Sequence, residues 1–284
     1  MAEANASENT YVFEAEDASE IARLSQRNEL FHKTMGGLFP ERTNLDGITH
    51  ILDIGCGPGG WALAVAKSYP HTQVIGIDVS NTMLTSAESE AQRHAVNNVT
   101  FMHMNALQPL NFPHQHFDLI NMRAAVEYVP RKSWNSLLQE CYRITRPGGI
   151  LRLIETDRIA LTNSYAFERY HYFYTRMLYH RGYGFSPDGW TLGMTPVLQK
   201  LLQDAGYQHT HIKSYALDFS YNALFQVEYR RLTQMRFENV RRHLHEKGLI
   251  PLDELEKVYY AFIEDIARET FCGVACPLIF WGEK

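Results

Sequence analysis

Residues 49–60 read THILDIGCGPGG, and the change of rhythm within them decides the fold. The run up to Ile54 has the length and apolar character of a buried strand. Four glycines, Gly55, Gly57, Gly59 and Gly60, close it before residues 61–68 take up a helical pattern. Glycines at such a hand-over let the main chain turn sharply and let a ligand approach it closely. The helix beyond begins with free amides facing the turn. Working outward, the same alternation recurs. VIGID (74–78) reads as a strand and is followed by a helix capped by Ser80, and VTFMHMNA (99–106) and FDLINM (117–122) read as two further strands. A helix over 131–144 stops at Pro147-Gly148-Gly149, and ILRLIET (150–156) is a fifth strand. Short apolar strands alternating with helices predict a parallel sheet covered on both faces.

On either side of this unit the pattern differs. Before it, Ile21, Leu24, Leu30 and Phe31 recur at helical intervals until Gly36-Gly37, which makes 1–46 an N-terminal helical segment. After it comes YAFERYHYFYTRMLYHRGYGF (165–185), far richer in rings than its surroundings and helical to about Tyr179. A helix over 196–205 stopping at Gly206, a strand HIKSYALDFS (211–220), helices over 222–247 and 252–270 and a closing strand ACPLIFWG (275–282) complete the chain. The expectation is one main domain over 47–284, with helical cap insertions at about 158–195 and 221–271.

Composition narrows the class. The 284 residues are 45% hydrophobic and 21% charged, enough to bury a core and far from a disordered chain. Lys and Arg number 27 against 32 Asp and Glu, and the net charge of -5 supplies no basic field for nucleic acid or an anionic membrane. No apolar run approaches the roughly 20 residues of a membrane helix. The acidic start MAEANASENTYVFEAEDASE (1–20) lacks a secretory apolar stretch, and four cysteines make no disulfide framework. These features predict a soluble cytoplasmic protein.

Asp78 ends the second strand, 23 residues after Gly55, where its carboxylate can accept both hydroxyls of a ribose. Glycine turn and acid together point to a nucleoside cofactor. Because Gly55-x-Gly57-x-x-Gly60 also satisfies the dinucleotide pattern, the glycines alone leave an NAD(P)-dependent oxidoreductase open. Asp53, two residues before the first glycine, would repel a pyrophosphate and suit an ammonium group.

HILDIGCGPGG resembles the glycine motif of the class I S-adenosylmethionine (SAM)-dependent methyltransferases. VIGIDVS, MNAL, FDLINMRAAVEYVP, ITRPGGILRLIE and PLIFWGEK resemble later segments of that family in order, strongly over 47–157 and weakly over 196–220 and 274–284. The resemblance implies a doubly wound, Rossmann-like α/β fold with a mostly parallel seven-stranded sheet and a terminal antiparallel strand between its neighbours. It implies SAM as cofactor, held by Asp53, Gly55, Cys56, Gly57 and Gly59 of the turn, by Asp78 and Val79, and by Asn105 and Ala106 at the adenine. Asn105 departs from the acidic residue common there; its amide carbonyl still accepts from the adenine amino group. Asn121 and Arg123 after the fourth strand are candidates for the methionine moiety, and Tyr11 and Gln26 are candidates for folding over the cofactor.

Methyl transfer asks the protein for orientation, exclusion of water and sometimes a base, and the transfer itself needs no metal. Glu155, at the exit of the fifth strand, is the first candidate base and Glu127 the second. Tyr165, Tyr170, Phe173, Tyr174 and Tyr183 are expected to wall a substrate cap. The acceptor is then a small, largely apolar or aromatic metabolite, with carbon methylation in specialised terpenoid, prenyl or indole-like metabolism one version. A diphosphate acceptor would bring in Mg2+ and Arg169, Arg176 or Arg181. RNA or protein as substrate is the alternative within the same chemistry. No nucleic-acid or membrane partner is expected, and the ring-rich helices suit a homo-oligomer.

Overall fold

The structure is a computed structural model that describes residues 9–42, 44–246, 248 and 250–284; residues 1–8 of the acidic start and Lys247 lie outside the described residues. Helix α1 (Ala18–Met35) comes first, with the Asp17 side chain accepting from the Ser19 amide at its start and Gly36, at φ 80°, ending it. Then β1 (His50–Ile54), α2 (Gly60–Ser68), β2 (Gln73–Asp78), α3 (Asn81–Arg93), β3 (Val99–His103), β4 (Phe117–Arg123), α4 (Trp134–Ile144) and β5 (Thr145–Glu155) alternate. Ser80 caps α3 as the sequence predicts, its side chain accepting from the Met83 amide. The remaining elements are β6 (Leu161–Thr162), α5 (Tyr165–His180), α6 (Thr195–Asp204), β7 (Gln208–Ser214), β8 (Leu217–Asp218), α7 (Gln226–Glu246), α8 (Leu252–Asp265), β9 (Gly273–Ala275) and β10 (Leu278–Glu283).

Seven strands form one sheet in the order β3-β2-β1-β4-β5-β10-β7. All run parallel except β10, which enters antiparallel between β5 and β7. Ile51 and Leu119 face one layer of core with Trp61 and Phe101, while Leu52, Ile54 and Ile120 face the other with Trp134 and Leu153. Burial on both faces is why these strands read as unbroken apolar runs. Chain order reverses between β1 and β4, which opens a crevice beyond the strand tips.

A second, three-stranded antiparallel sheet, β6-β9-β8, departs from the sequence reading. It divides two segments expected to be single strands. The closing strand splits at Cys276-Pro277, since proline has no N–H to continue a ladder. The strand over 211–220 splits at Tyr215, whose amide turns to the Pro277 carbonyl at 3.0 Å. The third strand stops at His103, the Met104 amide making the last rung of the ladder to the Asp78 carbonyl at 3.0 Å, and residues 104–107 line the crevice.

The ring-rich helix α5 packs into a helical cap. Its Phe167 lies 5.5 Å from Phe262 of α8 and its Tyr170 4.5 Å from Phe237 of α7, centroid to centroid. Tyr170 is therefore core, as is Phe173 under the Arg169 guanidinium, and neither walls a substrate. Tyr165 is 78% exposed, and Tyr183 is spent on the Thr10 carbonyl.

Candidate active site

The glycine turn builds the floor of a pocket at the strand tips. Gly55 adopts φ 65°, and a Cβ there would lie 2.6 Å from the Tyr128 ring, whose hydroxyl donates to the Ile54 carbonyl at 3.0 Å. Only glycine satisfies both the left-handed backbone and that contact. Asp78 faces the turn. One of its oxygens accepts from the Gly57 amide at 2.8 Å and the other from the Ser80 amide at 3.0 Å, while burial raises its carboxyl above the usual range. The pocket, about 680 Å³, is lined by Gly55, Gly57, Asp78 and Val79 on one side and by Asn105 and Ala106 on the other. Tyr11 closes over it, donating its hydroxyl to Glu20 at 2.5 Å.

Five expected cofactor contacts fall outside this lining. Gln26 is the wrong residue of α1, for its neighbour Arg27 is the one that faces the pocket. Cys56 is a buried small residue, and Gly59 lets α3 and β3 approach, since a Cβ would lie 2.7 Å from Ala87 and from Phe101. Asp53 and Asn121 are buried at 1% and 0% exposure. They stand in register across three strands with Arg152, Asp53 opposite Asn121 and Asn121 opposite Arg152. The Asn121 amide donates to Asp53 at 2.7 Å and accepts from Arg152 at 2.7 Å, and Arg152 also donates to Glu41 at 2.6 Å. This chain is a strut beneath the site. Its free end, Asp53 Oδ2, has no hydrogen-bond partner among the described residues and lies 3.9 Å from the Arg123 guanidinium, while burial raises the Asp53 carboxyl.

A second, inner cavity adjoins the first and is lined in part by residues of α1 and α7. Its walls are mainly apolar, from Leu30, Phe31, Trp61, Ile154 and Leu232. Arg27, Arg123, Ala124 and Glu127 line both cavities, so the two meet there. Glu127 accepts from Arg27 at 3.1 Å, from Arg236 at 2.8 Å and from the Tyr174 hydroxyl at 2.9 Å. Arg236 and Arg27 outweigh its burial and hold its carboxyl down at about 2. A carboxylate that acidic is a poor proton acceptor at neutral pH, which corrects its reading as a base; it anchors α1, α5 and α7 to the site. Tyr174, through this bond, is the one of the five expected cap rings that lines the inner cavity.

Glu155 sits in the opposite condition. It is 3% exposed and lines the inner cavity, Oε1 accepts from the Val126 amide at 3.3 Å, and Oε2 is buried with no partner among the described residues. Burial pushes its carboxyl up to about 8. A carboxylate poised there can take a proton near neutral pH. The arginines reserved for a diphosphate are committed elsewhere: Arg169 to Glu254, Arg176 to the Asp188 carbonyl and Arg181 to the Val12 carbonyl.

Arg27, Asn28, Arg236 and Tyr128 complete the site and were not singled out from the sequence. Glu20, Arg23 and Arg27 follow each other at helical spacing, which was the available signal. Charged residues on a helix are read as its solvated face unless partners are known, and here Glu20 is met by Asn239 of α7, 219 residues away, and Arg27 by Glu127, 100 residues away.

Residues 51–149 match the family model described as a methyltransferase domain. A demethylmenaquinone methyltransferase of Geobacillus kaustophilus is 33% identical over 138 residues, which are 48% of this chain and 56% of that enzyme. The chain thus spans little more than half the length of such curated relatives. Among solved structures, the YcgJ protein of Bacillus subtilis superposes with a TM-score of 0.57 at 20% identity, covering 89% of this chain and 99% of that one. A Haemonchus contortus phosphoethanolamine N-methyltransferase 2, bound to phosphomonomethylethanolamine and S-adenosylhomocysteine, does so with 0.52 at 16% identity, covering 89% and 52%. The glycine turn, the acid at the second strand tip and the antiparallel strand in the sheet agree with that family model: residues 51–149 form a methyltransferase domain, and the chain has the Rossmann-like methyltransferase fold.

Proposed function

We propose that this chain methylates a small, largely apolar or aromatic acceptor held in the inner cavity, with SAM in the strand-tip pocket. The observation that carries the reading is the junction of the two cavities at Arg27, Arg123, Ala124 and Glu127, with Glu155, whose Oε2 has no partner among the described residues, in the inner wall. The pocket fits the cofactor. Gly55 and Gly57 leave its floor free of side chains, Asp78 suits a ribose, and Asn105 and Ala106 suit the adenine. Arg123, with a buried Nε that has no hydrogen-bond partner, suits the carboxylate end of the amino-acid tail. When bound, SAM supplies a methyl group activated by its sulfonium. The chain's own part is to orient the acceptor, exclude water and remove a proton.

Burial of the inner cavity beneath α1 and α7 serves the exclusion of water, and Glu155 serves the proton. The relatives' name, demethylmenaquinone methyltransferase, favours a quinol-like ring, which the apolar walls would accommodate. The reading covers carbon or oxygen as the methylated atom. Incubation with methyl-labelled SAM and a panel of naphthoquinols, phenols, indoles and amines tests it. Label should pass to ring acceptors; label passing only to RNA or protein, or to nothing, would reject it.

A further inference from the structure

The inner cavity has an electrical imbalance at its junction with the pocket. Two guanidiniums, Arg27 and Arg236, share one carboxylate, Glu127. Arg23, beside them, is fully engaged by Glu20. Arg123 faces Asp53 at 3.9 Å from the other side, and the neutral hydroxyls of Tyr11 and Tyr128 complete the polar surroundings. Glu155, the remaining acid, is the one that burial inclines to stay protonated. One positive charge is therefore left without a counterpart.

Arg27 is the place where that charge is accessible. Its Nη1 donates to Glu127, and among the described residues its Nε and Nη2 have no partner. Its side chain is 20% exposed, against 2% for Arg23 and 12% for Arg236, and it lines both cavities. The same guanidinium acts electrostatically on Glu155. An oxygen placed near Glu155 is thus placed within the field of Arg27.

Resting on the methyltransferase reading, we propose that Arg27 selects the charge of the acceptor: it holds the oxygen of a phenol or enol that has given its proton to Glu155, and it turns away acceptors that carry an ammonium group. In this step the acceptor O–H bond breaks, its electron pair stays on the oxygen, and the proton bonds to Glu155 Oε2, the unpartnered atom. Arg27, a donor only, keeps its own protons and faces the new oxyanion. The transfer starts from the ionised Glu155 and leaves the net charge of the cavity unchanged; once Glu155 is protonated, Arg27 and Arg236 have Glu127 alone to share, and the new oxyanion supplies the missing counterpart. A neighbouring ammonium would add to the positive excess instead.

The probe is 4-nitrophenol, whose phenol and phenolate forms differ in colour, titrated into the protein saturated with S-adenosylhomocysteine. In the wild type the bound probe should ionise at least about one pH unit below the free probe, and 4-nitrobenzylammonium should bind at least about tenfold more weakly. R27Q, likewise saturated with S-adenosylhomocysteine, should abolish the shift and weaken phenolate binding about tenfold, and R27K should recover part of both. Binding of the probe as the phenol, equal binding of the ammonium, no binding, or an unchanged shift in R27Q would overturn the proposal. Should R27Q fail to fold, the wild-type spectrum and the charge comparison decide. Failure of S-adenosylhomocysteine to bind would reject the methyltransferase reading itself, whereas its binding without any phenolate preference rejects only the role of Arg27.

Discussion

Glu155 and Glu127 are two buried acids of one cavity wall, and their surroundings push them in opposite directions: burial outweighs the field of Arg27 and raises the first to about 8, and two arginines hold the second at about 2. For Glu155 the folded value lies above the unfolded one. Its contribution to stability is whole below about pH 4 and is lost as pH rises through about 8. Glu155→Gln should therefore melt higher than the wild type above pH 8, by something on the order of 3 kcal/mol, while turnover drops and the alkaline rise of kcat disappears. A wild-type pH–rate profile in the variant would remove Glu155 from proton transfer. For Glu127 the folded value is depressed, so its contribution is present above about pH 4.5 and is lost as pH falls toward 2. Glu127→Gln, which leaves two part-buried guanidiniums facing each other without their shared carboxylate, should cost about 1–3 kcal/mol in urea unfolding at pH 7. A loss below about 1 kcal/mol would mean the network is slack. Sequence reading placed both acids at the site but could not assign their roles, because the cations that separate them come from α1 and α7.

At the scale of elements, the central strands β1, β4 and β5 were legible because they are buried on both faces and their glycine or proline punctuation is sharp. Helix α5 was legible as a helix, yet its rings misled. Aromatic density looks the same whether rings line a cavity or pack between helices, and only the positions of α7 and α8 separate the cases. Within that packing the Tyr170 hydroxyl is buried without a partner. Tyr170→Phe should then be neutral or stabilising by up to about 1 kcal/mol, since it removes an unsatisfied polar group and no packing. Phe237→Ala, in contact with Tyr170, Tyr259 and Phe262, should cost about 3–5 kcal/mol. Thermal melts of both check the assignment; destabilisation by Tyr170→Phe would show that the hydroxyl has a partner. The small β6-β9-β8 sheet was not legible, because its strands of two or three residues carry no periodicity to read.

Across the whole molecule, the reversal of strand order between β1 and β4 and the insertion of α1 and the cap over it create two adjoining chambers with different chemistry. One is floored by glycine and edged by acid and amide; the other is apolar, with Glu155 and a guanidinium at the connection. The first was readable from a dozen residues around Gly55, and the second needed the tertiary structure. The account stands on the first chamber being made for an adenosyl group bearing an amino-acid tail. Titration calorimetry of the full chain with S-adenosylhomocysteine and, separately, with NADH tests this most directly. The account predicts saturable binding of S-adenosylhomocysteine, weakened by about 1–3 kcal/mol in Asp78→Ala, and no binding of NADH. Binding of NADH with S-adenosylhomocysteine ignored would contradict it.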